Sequence, residues 1–267
     1  MNQQSKVAVI GAGVMGEALI AALISFGIKP EFITISEKRE DRAAELIAKY
    51  SIKAAPLASN VASADALLLV VKPQDMAAVL SEIKVSINPA AAVITFAAGK
   101  TIKFISDGLG TGNPIVRVMP NTPTLVGAGM AAASMGADVT ETQKSFVLGF
   151  LGATGKVIEV AEELQDAVTA TSGSGPAYFF AFVEAMVAGA KELGLNDADA
   201  TTLTIQTIVG AAKLLDESGK SATTLRENVT SPNGTTAAAL ASFAAGDMNS
   251  MVAKAMKAAR DRSQELA

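Results

Sequence analysis

The sequence predicts an α/β protein, with a doubly wound sheet in the N-terminal part and an all-helical C-terminal part. Three observations lead there. Short runs of Val, Ile, Leu and Ala alternate with helix-period segments as far as Met119. A glycine turn, Gly11-Ala12-Gly13-Val14-Met15-Gly16, joins the first run to the first helical segment. Beyond about residue 160 only helical patterns remain. Strand–helix alternation implies parallel strands, because parallel neighbours need a long return connection.

The elements follow in order. Val7-Ala8-Val9-Ile10 is the first strand, and Met15 to Ser25 the helix behind it. Phe32 to Ile35 and Arg39 to Lys49 form the second pair. Ala66 to Val71 is a third strand, with Met76 to Ile83 helical after it. Val93 to Phe96 and Ile115 to Val118 continue the sheet. Unbroken apolar strands suit a sheet covered on both faces. Ser172-Gly173-Ser174-Gly175-Pro176 then precedes helices over Ala177–Leu193, Asp199–Asp216, Ala222–Val229, Thr235–Ala245 and Met248–Leu266. Pro176 suits a first helical turn, where its missing N–H costs nothing. The expected domains are residues 1–160 and 161–267.

Composition narrows the chemistry. The 267 residues include no His and no Cys, which excludes imidazole acid–base catalysis, thiolate nucleophiles and His/Cys zinc sites; no metal site is expected. Net charge is −4, the isoelectric point is near 5.1 and no basic run stands out, so neither nucleic acid nor a membrane surface is an expected partner. The longest apolar stretch, Ala177 to Ala190, is too short to span a bilayer and contains Glu184. Met1 to Lys6 lacks the apolar core of a signal peptide, and a cytoplasmic location is the expectation. Half the residues are hydrophobic and mean hydropathy is +0.36, more apolar surface than one subunit would comfortably expose. An oligomer is expected.

The glycine turn carries a G-x-G-x-x-G pattern between a strand and a helix. Its first glycine permits the tight turn, the second lets backbone approach a pyrophosphate, and the third brings helix and strand together. Free N–H groups and the helix dipole then favour the phosphates. All six residues, Gly11, Ala12, Gly13, Val14, Met15 and Gly16, are therefore candidate cofactor contacts. The end of the second strand, Ser36-Glu37-Lys38-Arg39, bears on cofactor choice. A carboxylate there holds the 2′-hydroxyl of NAD and repels a 2′-phosphate. Ser36, Lys38 and Arg39 instead suit the phosphate, and the reading leans to NADP with NAD as the alternative. Val70, Val71, Lys72 and Pro73 close the third strand, and Ala97 and Ala98 close the fourth; open α/β sheets bind ligands at such ends. Met119-Pro120-Asn121-Thr122-Pro123 is a stiff connection that is either a rigid loop or a neighbour of the nicotinamide.

A second cluster lies far away in sequence. Val229-Thr230-Ser231-Pro232-Asn233-Gly234-Thr235-Thr236 sets four hydroxyls around a Pro-Asn-Gly turn between two helical patterns. The plain reading is a helix cap after an ordinary turn.

Taken together, these motifs resemble the pyrroline-5-carboxylate reductase family over essentially the whole chain. The likeness rests on the glycine turn, Val71-Lys72-Pro73, Ala97-Ala98-Gly99, Arg117 to Pro123, Ser172 to Tyr178 and the Val229–Thr236 segment. The resemblance implies a Rossmann-type N-terminal domain and an all-α domain that dimerises, with some relatives forming pentamers of dimers and active sites lying at the dimer interface. It also implies hydride transfer from NAD(P)H to the C=N carbon of 1-pyrroline-5-carboxylate, giving L-proline in the final step of proline biosynthesis. Such an imine arrives partly protonated, so a site without His or Cys suffices.

By the same resemblance, backbone N–H groups of Ser231, Asn233, Gly234, Thr235 and Thr236 hold the substrate carboxylate. The Thr236 hydroxyl faces the ring nitrogen as the catalytic group. Glu162 is a further substrate contact, while Asn60 and Asn228 lie on the cofactor side. The family has Gly-Gly where this chain has Asn233-Gly234. If that position needs positive φ, asparagine is the least costly replacement, though its amide leaves room for a related cyclic imine acid as substrate. Two other classes share this outline. One is a β-hydroxyacid dehydrogenase, but Lys191 lacks the asparagine one turn later that this class carries. The other is a non-catalytic dinucleotide-sensing or scaffolding protein, against which the intact hydroxyls of the turn argue.

Overall fold

The structure is a computed structural model and describes Met1 and residues 3–266. Residues 1–176 and 259–267 form one unit, and residues 177–258 a second. The first is built on strands β1 (Val7–Ile10), β2 (Ile33–Ser36), β3 (Lys53–Ala54), β4 (Ala66–Leu69), β5 (Ala92–Thr95), β6 (Ile115–Met119), β7 (Gly129–Met135) and β8 (Gly155–Glu159). They lie in the order β3-β2-β1-β4-β5-β6-β7-β8. Pairing is parallel from β3 to β6, β7 is antiparallel to β6, and β8 runs parallel to β7. The connection over 120–128 is short, and a short link permits only the antiparallel return.

Successive strand residues point to opposite faces, so one strand feeds two cores. Val7 and Val9 of β1, with Leu68 of β4 and Ile94 of β5, meet helices α1 (Val14–Phe26) and, later in the chain, Glu141–Gly152 on one face. Ala8, Ile10, Leu67, Leu69 and Val93 meet Met76–Ile83 and Ile102–Leu109 on the other. The sheet is therefore doubly wound, as expected.

The remaining helices of this unit complete the series. α2 is Glu40–Tyr50, α3 Leu57–Ser63, α4 Met76–Ile83, α5 Ile102–Leu109, α6 Glu141–Gly152 and α7 Gln165–Val168. Phe146 and Phe150 of α6 are the largest fully buried side chains, and Phe146 meets Phe26 of α1 edge-on at 5.9 Å between centroids. α6 is also capped at both backbone and side chain: Thr140 and Gln143 form a reciprocal capping box.

Residues 162–176 belong to the sheet unit although a helical second domain was expected to start at 161. The reason is Gln165, whose fully buried amide donates to the Ala132 carbonyl at 3.2 Å and to Ser134 Oγ at 2.9 Å. Those partners lie on β7, so this segment is tied to the sheet, and the first unit runs on to Pro176.

The second unit holds most of α8 (Gly175–Glu192), α9 (Asp197–Glu217), α10 (Ala222–Asn228), α11 (Thr235–Ala245) and most of α12 (Met248–Glu265). It buries little of itself. α11 has no buried residue, and Phe179 and Phe180 are each 63% exposed. Isolated apolar residues on a surface are ordinary, but a run of exposed Phe, Leu, Val and Met along several helices marks a face meant to be covered.

Candidate active site

The glycine turn is shaped by close approach. Gly11 has φ +84°, and a Cβ there would stand 2.9 Å from the Val70 carbonyl oxygen. At Gly16 a Cβ would stand 2.5 Å from the Gly11 carbonyl oxygen, so helix and loop touch backbone to backbone. Around Gly13, by contrast, a Cβ would meet nothing within 4 Å. Gly13 is the N-cap of α1 and no side chain caps it, which leaves first-turn N–H groups for an anion. These features fit a pyrophosphate-bearing cofactor.

A cleft of about 500 Å³ opens beside the turn, lined by Gly11, Gly13, Ser36, Lys38, Val70, Val71 and Lys72 among others. Seven of the expected cofactor residues thus share one cleft. The others have different places. Ala12 is fully buried, Met15 packs against the core, and Val14 is exposed at the helix start. Pro73 opens a 3-10 turn over Pro73–Asp75. Ala97 is buried in the second core and Ala98 half-buried beside it.

Two expected contacts have other work. Arg39 pairs with Asp41, Nη2 to Oδ2 at 3.0 Å, and both side chains are exposed. Asn60 is buried and donates through Nδ2 to the Thr34 carbonyl at 3.2 Å and to Ser36 Oγ at 2.9 Å. Ser36 Oγ in turn donates to the Ala55 carbonyl at 3.0 Å. Asn60 therefore braces the end of β2 from behind and is a positioning residue there.

The sequence did not disclose the charge cluster behind the turn. Glu17 on α1 accepts from Lys49 Nζ at 2.7 Å and Tyr50 Oη at 3.0 Å, and forms a short ion pair with Arg42 Nη2. Arg42 Nε also donates to the Ala12 carbonyl at 3.1 Å, tying α2 to the glycine turn. Hydrogen bonds from Lys49, then Arg42, hold the Glu17 carboxyl at about 2, against an ordinary 4.5. Burial, reinforced by the bond to Glu17, pushes the Tyr50 phenol up.

A carboxylate with a depressed folded-state pKa stabilises fully above its unfolded pKa and loses that contribution as pH falls. Glu17→Gln is accordingly expected to lose about 1–3 kcal/mol at neutral pH, measured by urea unfolding. The deficit should shrink between about pH 4.5 and pH 2, the window of the shift. A deficit constant across that window would remove Glu17 from the account.

Glu162 also has structural work. Its Oε1 accepts the Ile102 N–H at 2.7 Å, at the start of α5, and lies 3.4 Å from Arg117 Nη1. Arg117 is buried and pairs through Nη2 with Asp166 at 3.3 Å; Asp166 in turn accepts from Ser263 Oγ at 2.7 Å. This chain of contacts fastens the C-terminal turn to the sheet. Asn121 accepts the Met130 N–H at 2.8 Å and donates weakly to Ser172, so the 119–123 connection reads as a rigid loop.

The second unit carries the hydroxyl-rich turn. Thr230 Oγ1 donates to the Arg226 carbonyl at 2.6 Å, closing the end of α10, whose last residue is the exposed Asn228. The turn closes with the Gly234 N–H on the Ser231 carbonyl at 3.0 Å. Asn233 adopts φ +59°, the left-handed conformation that asparagine tolerates best after glycine. Gly234 is the N-cap of α11, and no side chain caps that helix. The cap reading fails here: Ser231, Thr235 and Thr236 leave the first-turn N–H groups of α11 without a side-chain acceptor. Asn233→Gly is expected to fold with stability within about 1 kcal/mol of wild type by thermal unfolding, since both residues accept this φ.

Comparison with known proteins decides the family. Residues 162–266 match the family model described as pyrroline-5-carboxylate reductase dimerisation. A pyrroline-5-carboxylate reductase of Corynebacterium melassecola is 40% identical over 97% of this chain and 98% of its own length. The chain belongs to the pyrroline-5-carboxylate reductase family.

Residues 6–99 further match the model of an NADP oxidoreductase, coenzyme F420-dependent. The solved structure of the family member from Coxiella burnetii superposes with a TM-score of 0.90 at 35% identity, covering 99% of both chains. A Plasmodium falciparum member, solved with NADP bound, has the same TM-score at 28% identity and covers 100% of this chain and 99% of its own. Within that family, the unit holding the glycine turn is the Rossmann-type one, and the helical segment from 162 onward corresponds to the dimerisation model. Among the described residues, no helix is long and apolar enough to cross a membrane.

Proposed function

We infer that this protein reduces 1-pyrroline-5-carboxylate to L-proline with NADPH. Family membership supports the reaction, and the observation that carries the site is the uncapped N-terminus of α11 beneath the Ser231–Thr236 turn. A helix start with free N–H groups and a positive dipole end is suited to a single carboxylate. The nicotinamide, when bound, supplies the hydride that adds to the C=N carbon; the nitrogen ends protonated.

The chain's own residues do the rest. Backbone amides of the turn, other than that of Gly234, which is spent on the Ser231 carbonyl, hold and orient the carboxylate, while the Thr236 hydroxyl hydrogen-bonds the ring nitrogen and places its proton. The uncapped Gly13 end of α1 takes the cofactor phosphates, with Val70 to Lys72 along the cleft wall. Glu162, engaged with Ile102 and Arg117, holds α5 and β6 in place. A role for it and for Asn228 toward the ligands rests on the family likeness alone.

The apolar helices of residues 161–267 pair with a second copy, supported by the match to a dimerisation model, and such dimers assemble further into rings of five, which rests on the family resemblance alone. Location in the cytoplasm follows from the biosynthetic role. The deciding assay is NADPH oxidation on adding 1-pyrroline-5-carboxylate, with proline identified as the product. No oxidation there, alongside turnover of a β-hydroxyacid, would overturn the assignment. Faster turnover of a six-membered ring imine acid that is lost in Asn233→Gly would instead assign Asn233 to substrate selection.

A further inference from the structure

The end of β2 is built unlike a good 2′-phosphate pocket. Of the groups suited to that phosphate, Arg39 is not among the residues lining the cleft and pairs with Asp41 at 3.0 Å on the surface. The Ser36 hydroxyl has given its hydrogen to the Ala55 carbonyl and accepts one from Asn60. Arg42, the next cation, is bound to Glu17, Glu45 and the Ala12 carbonyl. Lys38 remains on the cleft wall, and beside it stands a carboxylate.

That carboxylate is Glu37, and it is held in place. Its Oε2 accepts the Ala12 N–H at 2.7 Å and its Oε1 accepts the Arg39 N–H at 3.1 Å. The side chain therefore bridges the glycine turn and the end of β2, inside the cleft that Gly11, Gly13 and Val71 also line. In folds of this type an acidic group at that point accepts hydrogen bonds from the ribose hydroxyls, and a 2′-phosphate meets it as a like charge. Two backbone hydrogen bonds oppose its swinging away.

We propose that Glu37 sets cofactor choice in this protein by opposing the 2′-phosphate, so that NADPH binds against a standing penalty that NADH does not meet. The proposal rests on the reading of this cleft as the NAD(P)H site. Glu37→Gln removes the charge and keeps an oxygen able to accept the Ala12 N–H. Calorimetric titration of wild type and Glu37→Gln with NADPH and with NADH measures the four dissociation constants without turnover.

The expected result is a shift of the NADPH/NADH affinity ratio toward NADPH by about tenfold, the scale of removing one partly screened like charge. An unchanged ratio, a ratio moved toward NADH, or equal weakening of both cofactors would overturn the proposal. The last of these would leave Glu37 as a brace of the glycine turn only. If wild type and variant bind neither cofactor, the reading of the cleft falls, and the proposal with it.

Discussion

Thr236→Val is expected to lower kcat for the imine by about tenfold or more while leaving the NADPH KM near its wild-type value, the scale of a lost general acid–base or hydrogen-bonding group. The substitution keeps volume and branching and removes only the hydroxyl. Thr236 sits in the first turn of α11, which no side chain caps, so the helix loses no capping bond when the hydroxyl goes. Thr236→Ser, which restores a hydroxyl, should recover most of the rate. Wild-type turnover in a folded Thr236→Val protein would exclude this hydroxyl from the reaction.

Gly16→Ala and Gly13→Ala should separate structure from binding at the glycine turn. At Gly16 an added methyl would stand 2.5 Å from one backbone oxygen and 3.3 Å from the carbon that bears it, both in Gly11. Backbone cannot yield as a side chain does, so α1 must shift outward. About 1–3 kcal/mol of stability should be lost, as for other overpacked sites, together with cofactor affinity. At Gly13 the methyl would enter open space, with nothing within 4 Å. Gly13→Ala should therefore unfold at nearly the wild-type urea concentration yet bind NADPH at least about tenfold more weakly, because the second glycine is where backbone approaches the pyrophosphate. Normal affinity in Gly13→Ala would show that the phosphates lie elsewhere.

Much of the fold was legible because its local signals were strong. The helices over Met76–Ile83 and Thr235–Ala245 have the bounds read from their patterns, and the five expected strands are all present within a few residues. β7 was missed for a physical reason. Gly129-Met130-Ala131-Ala132-Ala133-Ser134-Met135 has no β-branched residue, so nothing in it favours a strand. It becomes one because the short link from β6 returns it alongside, where small side chains are buried on both faces. α5 was missed because Gly108 interrupts its pattern; that glycine lets Leu80 of α4 pack against it.

The candidate site divides in the same way. The glycine turn, the ends of β1 and β4, and the positive φ at Asn233 follow from residue types whose backbone preferences are local. The roles of Arg39, Asn60 and Glu162 do not, because each depends on a partner brought in by packing. Asn60 and Thr34 are 26 residues apart, and Glu162 and Ile102 are 60 apart.

By itself, then, the sequence determined a parallel sheet with a G-x-G-x-x-G turn between its first strand and helix, a helical second part, a chain more apolar than one subunit would comfortably expose, and a hydroxyl-rich turn in a chain without His or Cys. Only the tertiary structure decided which charges are spent and which face the cleft. Arg42 and Glu17 lock the glycine turn from behind, and no side chain caps α11. Glu37 lies on the Ala12 amide across 25 residues of sequence. Backbone conformation is set by near neighbours, whereas the partner of a long side chain is set by which elements the core brings together.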